Sequence, residues 1–243
     1  MKYMGSKARI AKHILPIILK DRKEGQCYVE PFVGGANMID KVDNWRIGAD
    51  SNYWLIKSLE FIRDHELPKN NKEFTECEYK AAANYARGKG LAPFRDELVG
   101  YSLFAFSFGA KFIGGWSRGK NQKGESRDYV SEQYKANLKQ KPLLQGVELI
   151  NCSYSELEIP PKSIIYCDPP YENTTKYKDD FDHEAFWQWC RDRVKEGHSV
   201  FISEYNAPGD FKCVWSKEIQ SGLNTNTTKK GIEKLFVHKS QLK

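Results

Sequence analysis

Apolar and polar positions change period several times along this chain. Between residues 6 and 20, Ile10, Ile14, Ile17 and Ile18 recur at three- and four-residue steps, which predicts a first helix entered at Ser6. The run "QCYVEPFVGGANMIDKV" predicts a short strand, a Gly-Gly turn and a helix. "WRIGADSN" predicts a second strand ending in Asp50, followed by a helix through "YWLIKSLEFIRDH". Strand, helix, strand, helix is the rhythm of a doubly wound α/β sheet. The rhythm then breaks. Residues 63–145 are charged and poor in strand runs. "NNKEFTECEYKAAANYARGKG" and the longer, aromatic "RDELVGYSLFAFSFGAKF" predict helices. "IGGWSRGKNQKGESRDYV" predicts a glycine-rich basic loop, and "VSEQYKANLKQKPLLQ" a further helix. The rhythm resumes with strands at "GVELINCSY" and "SIIYCDPPY", a helix at "HEAFWQWCRDRVKEG" and a strand at "HSVFISEY". "FKCVWSKEI" and "KLFVHK" predict a closing antiparallel hairpin. We therefore expect one α/β domain, residues 1–62 and 146–243, interrupted by a mainly helical insertion at 63–145.

Composition narrows the class without deciding it. The 243 residues suit one domain with an insertion. No apolar run nears the roughly 20 residues that span a bilayer. The N-terminal stretch is interrupted by Lys12, His13 and Pro16, so no secretory leader is expected. A net charge of +6 favours a polyanionic partner. The six cysteines, Cys27, Cys77, Cys152, Cys167, Cys190 and Cys213, form no CxxC pair and have no histidine at ligand spacing. They are expected to be reduced thiols, with no metal site.

Three short motifs carry chemistry. In "EPFVGGANM", a strand runs into Gly34 and Gly35, where bare backbone can approach a ligand; an ordinary tight turn is the alternative. Asp50 ends the next strand, where α/β folds place an acid against ribose hydroxyls; a helix cap is its alternative. Then comes "DPPY". Two prolines fix φ near about −65° and remove two backbone donors. The turn can present the Asp168 carboxylate and the Pro169 carbonyl as paired acceptors at the carboxyl edge of the sheet. An exocyclic amino group has two donors and a lone pair delocalised into its ring. Two acceptors on its hydrogens would return electron density to the nitrogen. Tyr171 can lay its ring against a base.

The ordered set "YMGSK", "EPFVGGAN", "GADSN" and "DPPY", with a long insertion before the last, resembles the Dam-like DNA adenine N6-methyltransferases. "FSFGAKFIGGWSRG" is similar to phage and prophage members. The resemblance implies a fold of the S-adenosylmethionine-dependent methyltransferase type. It implies S-adenosylmethionine as cofactor and duplex DNA as partner, with no metal and no membrane. It also implies a cytoplasmic enzyme of a bacterial or phage-infected cell, monomeric or weakly dimeric. Tyr3, Gly5 and Lys7 would hold the methionine end of the cofactor, with Lys7 near its carboxylate. Pro31, Phe32, Gly34 and Gly35 would form the cofactor turn, and Asp50 would take the ribose. Tyr154 would line the adenine pocket, and Tyr177 and Phe181 would close over the cofactor. Where many relatives carry an acid for the adenine amino group, this chain reads "CSYSEL". Asp168, Pro169 and Tyr171 would be the catalytic set. The insertion would be the target-recognition domain, with Lys111, Arg118, Lys120, Lys123 and Arg127 around Trp116 contacting DNA. Lys229 and Lys230 would touch phosphate. Phe186, Trp189 and Val194 read as packing residues of one helix face. Cytosine N4 or an RNA adenine offers the same amino chemistry as acceptor. A DNA-binding relative without catalysis is a further alternative, against which the intact motifs speak.

Overall fold

In the computed structural model, residues 1–171, 181–220 and 230–242 are described, with only the backbone of Ile219, Gln220 and Lys230. Among the described residues, seven strands form one sheet in the order β3-β2-β1-β4-β5-β7-β6. These are β1 (Tyr28–Glu30), β2 (Arg46–Asp50), β3 (Val147–Asn151), β4 (Ile164–Cys167), β5 (Ser199–Glu204), β6 (Phe211–Gln220) and β7 (Lys230–His238). The first five run parallel, and β7 pairs antiparallel with both β5 and β6. All four residues of β4, "IIYC", are buried, as a central parallel strand covered on both faces requires. Strand order reverses between β1 and β4. That switch point is where open α/β sheets leave a crevice beyond their carboxyl ends.

The first predicted helix divides. Ser6 accepts from the Ala8 amide and opens a single 3-10 turn, and α1 proper is Ala11–Ile18. Ile10, Ile14 and Ile18 are buried, while Ile17 is only partly so. The helix expected after Gly34-Gly35 does not form. Ala36 sits at φ 56°, in the left-handed region a helix cannot contain, and the Asn37 side chain donates through Nδ2 to the Met1 carbonyl at 2.9 Å. Only a 3-10 turn, Ile39–Lys41, follows. α2 (Tyr53–Asp64) begins as predicted, capped by Asn52 on the Leu55 amide.

Within 63–145 the helices are α3 (Glu76–Ala86), with a Thr75/Glu78 capping box, α4 (Asp96–Ala105) and α5 (Tyr129–Gln140). α4 stops earlier than predicted: Ser107 is already extended, at φ −82° and ψ 142°, and positive φ follows at Gly109, Ala110, Ile113 and Gly115. These helices do not have a core of their own. Val99, Leu103 and Phe104 of α4 join Leu55, Leu59 and Ile62 of α2 and the α1 isoleucines in one buried cluster. Gly100 permits this closeness, since a Cβ there would lie 2.4 Å from the Trp54 carbonyl oxygen. On the other face of the sheet, α6 (His183–Lys195) buries Phe186, Trp187 and Cys190. All six cysteines are free thiols.

Candidate active site

The carboxyl ends of β1, β2 and β4 open into a cleft of about 1260 Å³. Its walls come from the N-terminal turn, the 110–114 loop, the 153–155 turn and the start of α6. Of the residues expected at the site, Tyr3, Gly5, Lys7, Pro31, Phe32, Gly34, Gly35, Asp50, Tyr154, Asp168, Pro169, Tyr171, Phe181 and Lys111 all line it. Tyr177 and Lys229 lie outside the described residues, as does the Lys230 side chain.

One half of the cleft suits a nucleoside. Asp50 accepts from the Asn52 amide at 3.0 Å and from the Gly34 amide at 3.2 Å, one bond on each oxygen. Each carboxylate oxygen keeps a further lone pair for a ribose hydroxyl. Burial pushes the Asp50 carboxyl up, against the two amide bonds. The turn beside it is close-packed. A Cβ on Gly35 would stand 2.6 Å from Tyr3 Cβ, and one on Gly34 would stand 3.2 Å from the Tyr3 ring. Phe32, Tyr154 and Phe181 lie within 6 Å of one another, centroid to centroid, and make an aromatic wall. In "CSYSEL", the Glu156 carboxylate turns back to the Ser153 amide at 3.2 Å, and Ser153, Tyr154 and Ser155 face the cleft instead. The donor set thus fits S-adenosylmethionine: an acid for the diol, rings for the base and serine hydroxyls for its edge.

The other half holds charge. Lys7 Nζ lies 3.1 Å from Asp168 Oδ1, 3.6 Å from Glu233 Oε2 and 4.4 Å from the centre of the Tyr171 ring. The Tyr171 hydroxyl donates to Glu233 Oε2 at 2.9 Å. Burial disfavours charge on Lys7, but Asp168 and Glu233 outweigh it, and its pKa rises. Burial likewise raises the Asp168 carboxyl, opposed by Lys7. Asp168 Oδ1 is buried yet accepts no aligned hydrogen bond, the ammonium contact being ionic in geometry. Lys7 therefore sits beside Asp168, a neighbour the cofactor-carboxylate role did not foresee.

Glu233, Tyr205, Tyr166 and Glu30 also line the cleft and were not singled out from sequence. Tyr205 packs edge-on against Tyr171 at 4.7 Å. Glu30 is 2% exposed and accepts from the Tyr28 hydroxyl at 2.9 Å; burial pushes its carboxyl well up. The sequence did hold a signal for Glu233. It shares the period of Leu235 and Val237, both buried, so an acid stands in line with core positions.

The expected DNA-contacting residues, Lys111 apart, stand away from the cleft. Arg118, Lys120, Lys123 and Arg127 are exposed. Arg118 binds Glu76 through both carboxylate oxygens at 2.6 Å, and Arg127 pairs with Glu132. Trp116, expected among these cations, packs inward. Its half-buried ring packs edge-on against Tyr79 and Phe106. Phe108, unnoticed in the sequence, is 66% exposed in the same segment.

A mostly parallel sheet with an acid at the end of its second strand and a "DPPY" turn after its fourth, both at one cleft, defines an α/β protein of the doubly wound class. Residues 3–229 match the D12 class N6 adenine-specific DNA methyltransferase family, and the chain belongs to it. No curated protein matches the sequence. The chain also matches two solved structures. One is SMU.472, a candidate methyltransferase complexed with SAH, at 10% identity and TM-score 0.42 over 96% of this chain. The chain spans 53% of that protein. The other is the human methyltransferase 10 domain containing protein, at 7% identity and TM-score 0.36, covering 98% of this chain and 84% of that one. Among the described residues no helix is long and apolar enough to cross a membrane. Among them, too, no group of three His, Cys, Asp or Glu is placed to hold a metal.

Proposed function

We propose that this chain is a site-specific DNA methyltransferase acting on N6 of an adenine flipped out of duplex DNA, with S-adenosylmethionine as donor. Asp168 Oδ1 carries the reading. It is a buried carboxylate oxygen at the end of the central strand, at the cleft, with no aligned donor. Its Lys7 contact at 3.1 Å is ionic in geometry, so the oxygen keeps the capacity to accept an N–H from a ligand.

When bound, S-adenosylmethionine supplies an electrophilic methyl carbon on a sulfonium. Asp50 would take its ribose hydroxyls, and Phe32, Tyr154 and Phe181 would flank its base. Tyr3 and the Gly34-Gly35 turn shape the passage between the two halves of the cleft. Asp168 Oδ1 accepts from the target amino group and raises the electron density on its nitrogen. It also holds the proton that leaves as the nitrogen becomes a secondary amine. Tyr171, fixed by Glu233 and Tyr205, offers its ring as a stacking surface for the flipped base. The insertion at 63–145 is proposed to read the target sequence. Its exposed Lys111, Arg118, Lys120, Lys123 and Arg127 are suited to phosphates. The packed Trp116 anchors the segment that carries them.

Asp168→Ala, assayed with labelled cofactor and duplex DNA, should lower methyl transfer by roughly a hundredfold or more. Undiminished transfer would sink the mechanism. Nucleoside analysis of the wild-type product should show N6-methyladenine, and N4-methylcytosine would move the acceptor.

A further inference from the structure

We propose that Glu233 is a positioning residue for methyl transfer: it holds the Lys7 ammonium and the Tyr171 hydroxyl so that Asp168 is left to the target amine. The inference rests on the function proposed above and assigns a role to a residue outside its catalytic set.

Three remote segments meet here. Lys7 comes from the N-terminal turn, Asp168 and Tyr171 from the end of β4, and Glu233 from β7. A single oxygen, Glu233 Oε2, accepts from the Tyr171 hydroxyl at 2.9 Å and lies 3.6 Å from Lys7 Nζ. The same ammonium reaches Asp168 Oδ1 at 3.1 Å and covers the Tyr171 ring at 4.4 Å. Lys7, Asp168, Tyr171 and Glu233 therefore close a ring, with Tyr205 edge-on behind Tyr171. The side chains are 9% exposed at Lys7, 21% at Asp168 and 17% at Glu233, so water compensates them poorly.

The arrangement answers a problem of competition. An ammonium carries three donors and stands where an exocyclic amine must offer its own. A lysine with Asp168 as its sole anion would resist the amine, because its buried charge would then be stranded. Glu233 supplies a second anion. As the amine takes Asp168, Lys7 remains compensated by Glu233. The bond from Tyr171 also fixes the plane of the ring against which a base would lie. A buried ion pair by itself says little about stability. The shared oxygen is what links the pair to the geometry of the reaction.

The test is single-turnover methyl transfer with saturating cofactor and duplex DNA, alongside cofactor affinity and Tm. Glu233→Gln keeps the volume and an acceptor for Tyr171 but removes the charge. It should slow transfer by about tenfold, with cofactor affinity within about twofold and Tm unchanged. Glu233→Ala also removes the Tyr171 hydroxyl's acceptor at position 233 and should be slower again. In a Tyr171→Phe background that extra loss of Ala over Gln should vanish, since the hydroxyl is already gone. A wild-type rate for Glu233→Gln overturns the proposal while leaving the function standing. So does an Ala-over-Gln loss that persists undiminished without the hydroxyl. A wild-type chain that methylates no DNA overturns the function itself, and this proposal with it. Should Glu233→Ala not fold, the Gln variant decides alone.

Discussion

The floor of the cleft and the neighbouring 107–127 segment both carry several charges, and they treat them in opposite ways. On the floor, Lys7, Asp168 and Glu233 are mostly withdrawn from water and share one another as partners. In the segment, the Arg118 side chain is 72% exposed and tied to a surface acid on α3. Withdrawn charges act over short distances in a low dielectric, where moving one partner changes the protonation and reach of the next. Exposed charges are screened by salt and exchange partners cheaply. The first arrangement suits a step that needs one atom held still, and the second suits a partner that arrives and departs with its own counter-ions.

The largest difference should appear on titration. Asp168 is faced by Lys7, Glu233 and Tyr171, with Tyr166 and Glu30 nearby. Burial places its carboxyl above the ordinary aspartate value, Lys7 pulls it down and Glu233 pushes it up. The reaction needs the ionised form. Single-turnover rate should therefore fall as pH is lowered, beginning above the pH of an ordinary aspartate, about 3.9, and approaching tenfold per pH unit. Glu233→Gln should move that limb to lower pH. Acid unfolding is a separate matter. A group whose folded pKa is raised gives stability that is complete below its unfolded pKa and is lost as pH rises. Asp168 therefore does not destabilise the fold in acid, and Tm measured across the same range separates the two effects. A limb at or below the ordinary aspartate value would break the contrast between floor and rim. The rim cations are expected to leave the limb where it is.

How much of this was legible beforehand differs between the same two regions. The floor was read through local signals: the apolar run before Asp168, the diglycine turn before the cofactor half, and Asp50 at a strand end. Each of these depends on neighbours in the chain. Glu233 was missed because its meaning comes from Tyr171 and Lys7, which lie far away in sequence, although its alignment with Leu235 and Val237 marked it as inward-facing. The helix expected after Gly35 failed for a similar reason. Asn37 is claimed by the carbonyl of Met1, a contact that no local propensity encodes. In the 107–127 segment, Trp116 stood among cations expected to contact DNA. Its actual neighbours, Tyr79 and Phe106, come from α3 and the end of α4 and were invisible to composition. Nor did the charged character of 63–145 reveal that α4 belongs to the common core through Gly100.

Trp116 gives the intermediate test. Truncating a ring packed on two aromatic neighbours removes contacts that a loop cannot easily recover. Trp116→Ala should cost about 3 kcal/mol of stability, read as a lower Tm and denaturant midpoint. DNA affinity of the folded fraction, measured below the new transition, should change little in its salt dependence. A variant with unaltered Tm and a large loss of DNA binding would make the ring a direct DNA contact.

The smallest effect is expected at Arg118. Its guanidinium meets both oxygens of Glu76, and Lys80 lies 2.9 Å from the same carboxylate. Loss of Arg118 thus leaves Glu76 with a cation one helical turn away. Arg118→Ala should leave Tm and the single-turnover rate at saturating DNA unchanged. What should move is the slope of log affinity against log salt, smaller in magnitude by about one, if the arginine exchanges Glu76 for a phosphate on binding. Affinity should weaken to a similar degree on every duplex tested, because a phosphate contact carries no sequence information. A loss confined to one target sequence would make Arg118 a reader of bases. An unchanged slope would make it a tie between the loop and α3.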